Sequence, residues 1–79
     1  MKETPYCTIY DEVAWEGRLQ LIEAHGRGFK EIRFAWYKDN QFMHAPAEIR
    51  ETELADLLIK GIQQGVLSAE FVKRLKEAM

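Results

Sequence analysis

Nucleophilic catalysis needs an activated hydroxyl or thiol, a base within reach and a group to orient that base, and a structural metal needs closely spaced thiolates and imidazoles. The chain offers one cysteine, Cys7, and two histidines, His25 and His44. None of them has a CxxC or HxxxH spacing, and neither histidine has an evident carboxylate partner. Ser68 reads as a helix cap, and Cys7 as a small buried hydrophobe with no second cysteine to pair with. The expectation is a protein that is not an enzyme and uses no metal or cofactor.

The side chains with chemistry left to them are suited to contact. Tyr37 and Phe42 face each other across a predicted hairpin, with Arg33 and His44 beside them. Aromatic rings next to a guanidinium make a stacking platform for unpaired bases, worth roughly 1–3 kcal/mol per base. Tyr, Phe and Arg together equally make the hot spot of a protein interface. A third reading has this face covered by the N-terminal element and serving as more core.

Two β-rich runs, Lys30 to Tyr37 and Gln41 to Ala45, position these residues around Asp39-Asn40, a dipeptide that accepts a tight turn. A symmetric two-residue turn sets Tyr37 opposite Phe42, Trp36 opposite Met43, Arg33 opposite Pro46 and Ile32 opposite Ala47. Alternation then gives Ile32, Phe34 and Trp36 to one face, the expected core, and Glu31, Arg33, Ala35 and Tyr37 to the other. Pro46 confines the second run to a sheet edge, since proline has no N–H to donate.

Upstream, Pro5 to Tyr10 alternates as a short strand. From there to His25 two readings compete. As a helix capped by Asp11 and closed by Gly26, the stretch lines up Glu12, Glu16, Gln20 and Glu23 as a polar stripe, with Gly17 costing about 1 kcal/mol. As strands, Cys7 to Trp15 and Leu19 to Ala24 pair into a meander, provided that three residues connect them so that the apolar faces match. The helix is the reading followed, for its clean stripe and its two caps. His25-Gly26-Arg27-Gly28 is a loop in both, a plain connection rather than a phosphate nest.

Two amphipathic helices close the chain, one over roughly Thr52 to Gln64 ending at Gly65, the other capped by Ser68 and reaching Ala78. The first is expected across the apolar face of the hairpin, with the second folded back on it. A DNA-reading helix-turn-helix is disfavoured, because Lys60 and Gln64 fall where the first helix should be apolar and Glu70 and Glu77 offset the basic residues of the second. The expected fold is thus α+β: a small antiparallel sheet in the order β-α-β-β-α-α, a central hairpin packed by C-terminal helices. The alternative is a four-stranded meander followed by two helices.

At 79 residues there is room for one domain, whose single core buries only about 60% of the unfolded surface. A net charge of -2 argues against a non-specific nucleic-acid binder. Residues 26–50 are the locally basic part, with Arg27, Lys30, Arg33, Lys38 and Arg50 against Glu31, Asp39 and Glu48. Without an apolar leader or an 18-residue apolar run, the chain reads as a soluble, cytoplasmic protein that does not enter membranes.

These observations favour a small adaptor or inhibitor that binds another protein through Arg33, Tyr37, Phe42 and His44. The acidic Glu12, Glu16 and Glu23 would be able to occupy a basic groove, as in a phage or mobile-element inhibitor of a host nucleic-acid-processing complex. The alternative is a single-stranded nucleic-acid-binding module using Arg27, Lys30, Arg33, Tyr37 and Phe42. A homodimer fits both.

Overall fold

The computed structural model describes the backbone of residues 1–38, 41–42 and 47–79, and the side chains of 1–36 and 47–79. Residues 11–25 form strands, so the meander is the fold and the helix over that stretch does not exist. The strands are β1 (Lys2–Glu3), β2 (Cys7–Ala14), β3 (Gly17–Ala24), β4 (Lys30–Lys38), β5 (Gln41–Phe42) and β6 (Ala47–Ile49). Two helices follow, α1 (Glu51–Gln63) and α2 (Ala69–Ala78). All pairings are antiparallel: β1 with β2, β2 with β3, β3 with β4, and β4 with both β5 and β6.

A helix over 11–25 would spread Val13, Ala14, Trp15, Leu19, Leu21 and Ile22 around most of its circumference with little to bury them against. As the central strand, β3 instead satisfies its backbone on both sides and sorts its side chains between two faces. Ala14 pairs with Arg18, so the connection has the three residues that the register demands, and Val13 meets Leu19. A β-bulge between Ile9 and Asp11 leaves Tyr10 as the extra residue. That insertion puts Cys7 and Ile9 on the same face as Glu12, although strict alternation would separate them.

Burial of the two faces is the reverse of the expected arrangement. Cys7, Ile9, Gln20, Ile22, Glu31, Arg33 and Ala35 are buried, and they share one face. On the other face Ile32 and Phe34 are half-buried and Trp36 is exposed, so the residues expected as core line the more open side. The polar groups on the buried face are mutually satisfied. Arg33 Nε donates to Gln20 Oε1 at 2.7 Å, Gln20 Nε2 donates to Glu12 Oε1 at 3.0 Å, and Arg27 Nη1 reaches the buried Glu31 at 2.8 Å. Hydrogen bonding of this kind is the condition for burying such groups.

The returning half of the hairpin begins as expected, with Tyr37 opposite Phe42 and Lys38 opposite Gln41. Further back, Ile32 pairs with Ile49, Arg33 with Glu48 and Phe34 with Ala47, two residues beyond the symmetric register. An even shift keeps each side chain on its expected face. The Asp39-Asn40 turn, Met43, His44, Ala45 and Pro46 lie outside the described residues.

Ser68 caps α2, its Oγ accepting from Phe71 N at 3.1 Å, and Gly65 adopts φ 78° after α1. No residue of either helix is buried. Leu54 and Leu58 are half-buried, whereas Leu57, Ile59, Ile62 and Leu75 remain exposed, so α1 covers the sheet far less than expected. Among the described residues no helix is long and apolar enough to cross a membrane.

Candidate docking face

The open side of the sheet carries Val13, Leu19, Phe34 and Trp36 in neighbouring positions of β2, β3 and β4. Trp15 joins them from the β2–β3 connection, where its N–H donates to the Gly17 carbonyl at 3.1 Å. Gly17 pairs with Trp36, and the Trp36 ring lies 3.2 Å from where a Gly17 Cβ would stand. The glycine therefore leaves space that the indole covers. Trp15 and Trp36 meet edge to face, with centroids 5.5 Å apart at an interplanar angle of 75°. Such a pair contributes about 0.5–1.5 kcal/mol beyond its buried area.

Both rings nevertheless stay open to solvent, Trp15 at 46% and Trp36 at 51% exposure, beside the exposed Val13 and Leu19. Contiguous apolar surface built around rigid aromatic anchors is what an interface hot spot requires. Glu16, exposed between Trp15 and Gly17, supplies a charge at the rim.

The residues singled out from the sequence are dispersed. Arg33 was expected to contact a partner, but it is 6% exposed and holds the interior polar row, as the reading of this face as more core has it. Tyr37 and Phe42 pair through their backbones at the hairpin end, and their side chains, like His44, lie outside the described residues. On strands, Glu12, Glu16 and Glu23 no longer form a stripe. Glu12 accepts from Gln20 on the buried face, Glu16 sits in the connection, and Glu23 accepts from the Tyr10 hydroxyl at 3.1 Å on the opposite face.

Among the basic residues, Arg27 binds Glu31 and approaches the Phe29 ring, while Lys30 Nζ lies 4.3 Å from the centre of the Tyr10 ring. The hydrogen bond to Glu23, aided by desolvation and by the negative charges of Glu23 and Glu3, raises the Tyr10 pKa.

Cys7 is free and buried, with Thr4 Oγ1 3.5 Å from its sulfur. His25 Nε2 contacts the Thr4 carbonyl at 3.0 Å and lies 3.7 Å from Glu3. Among the described residues no three His, Cys, Asp or Glu side chains converge as metal ligands.

The tryptophan face was missed because the helical reading of 11–25 separated Trp15 from Trp36 and because Trp36 was assigned to the core. The three-residue connection, which brings Val13 opposite Leu19, was the available signal. No family model, curated protein or solved structure matches the chain.

Proposed function

We propose that this chain is a small non-enzymatic binding protein that occupies a surface of another protein, as an adaptor or inhibitor. The observation that supports this reading is the half-exposed Trp15–Trp36 pair, set edge to face on an open sheet face beside Val13 and Leu19. The partner surface is apolar at its centre, with a recess for at least one indole, and the chain itself acts as a homodimer.

The single-stranded nucleic-acid alternative has less to rest on. Of its proposed contacts, Arg33 is buried, Arg27 is engaged by Glu31, and Lys30 sits against Tyr10. The inhibitor variant that relied on an acidic stripe loses that stripe with the helix, whereas occupation of an apolar patch does not require it.

Affinity capture with the full chain, followed by titration of the purified partner, tests the proposal. Trp15→Ala combined with Trp36→Ala should weaken binding by at least tenfold, since hot-spot truncations cost about 2 kcal/mol or more. A partner bound equally well by the double variant would overturn the assignment of this face. So would saturable, steeply salt-dependent binding of labelled single strands at about 10 µM, in favour of nucleic acid.

A further inference from the structure

The two helices carry a second set of exposed apolar side chains, away from the tryptophan pair in sequence, and the chain is more open than a compact domain of its size. Its solvent-accessible surface is 6437 Å², where a folded monomer of 9.3 kDa should expose about 5,000 Å². Its radius of gyration is 14.3 Å, against about 12 Å for a compact domain of this length. The excess of roughly 1,400 Å² per chain includes the tryptophan face, and what the helices contribute to it is surface of the kind a stable homodimer covers, where total interfaces run from about 2,000 Å² upward.

Charge identifies the occupant. α1 carries Glu51, Glu53 and Asp56 against Lys60, while α2 carries Lys73, Arg74 and Lys76 against Glu70 and Glu77. None of the ion pairs among the described residues uses a helix side chain. An acidic helix followed by a basic one is self-complementary under a two-fold axis, because α1 of each copy can lie along α2 of the other. The exposed Ile59, Ile62 and Leu75 are the apolar side chains available to that contact.

We propose that the α1–α2 layer is the dimer surface of this chain, closed by the same layer of a second copy with α1 set against the partner's α2. This rests on the homodimer in the reading above and is independent of the tryptophan face, which stays available for the other protein.

Sedimentation of the full chain over about 1–100 µM, with charge-reversed variants, tests it. The wild type should be a dimer. Glu53→Lys with Asp56→Lys makes both helices basic, and Lys73→Glu with Arg74→Glu makes both acidic. Each pair of changes should weaken self-association by at least tenfold while leaving the circular dichroism of the sheet unchanged. An equimolar mixture should restore a heterodimer, since both contacts then join opposite charges.

A wild-type chain that stays monomeric at 100 µM would overturn both the homodimer and its surface. A dimer indifferent to either reversal would overturn the surface alone, and two weakened variants that fail to rescue each other would overturn the pairing of α1 with α2.

Discussion

Arg33 ties the buried face together, donating from Nε to a glutamine that is itself 1% exposed. Arg33→Ala removes that buried hydrogen bond together with the packing of a side chain that is 6% exposed, which costs about 1–3 kcal/mol. The urea midpoint should fall accordingly, with the slope of the transition unchanged. Tyr10 makes a prediction about pH. Its hydrogen bond to Glu23 favours the protonated phenol in the folded chain, so the folded pKa lies above the ordinary 10.0. The resulting stabilisation is complete below pH 10 and is lost as pH rises through the folded value. Melting temperatures measured from pH 9 to 11.5 should therefore decline less steeply in Tyr10→Phe than in the wild type. At this scale the sequence was a poor guide. Arg33 and Glu31 look like surface residues by type, and the cross-strand position of Gln20 and the reach of Arg27 from the β3–β4 loop explain how they are accommodated.

Among the elements, β3 decides the architecture, and Gly17 decides how closely it approaches β4. A Cβ at Gly17 would run into the Ala35 carbonyl oxygen, and nearby backbone cannot yield without separating the two strands. Gly17→Ala should thus destabilise the chain by about 1–3 kcal/mol, the usual cost of overfilling a packed site, read as a lower urea midpoint. A helix over 11–25 would give the opposite sign, because alanine favours a helix by about 1 kcal/mol over glycine. The hairpin and both terminal helices were legible from local signals: the paired β-rich runs, the Ser68 cap and Gly65. The 11–25 stretch was not, because local caps and spacing compete there with pairing to β4, a long-range contribution that no window of sequence contains. The Tyr10 bulge further obscured its alternation.

The exposed apolar side chains of the molecule fall in two regions, the sheet face with Val13, Trp15, Leu19 and Trp36 and the helices with Leu57, Ile59, Ile62 and Leu75, and each is proposed to serve a different partner. In the proposed division the helices serve a second copy of the chain, while the sheet face presents the half-exposed indoles to a different protein. A chain of 79 residues buries a smaller share of its surface than a larger domain does, so its length indicated modest stability unless another chain covers part of it. Which surface would be left depended on how the helices pack, and that lay beyond reach of the sequence pattern. Trp15 and Trp36 are the only tryptophans in the chain, so intrinsic fluorescence reports on the proposed docking face without a label. Acrylamide quenching of the native chain is therefore the most direct measurement. Red-shifted emission, quenched almost as readily as in the urea-unfolded chain and protected when the captured partner is added, is the predicted result. Blue-shifted emission that resists quenching until the chain unfolds would show the face to be already covered, and would contradict its role in docking.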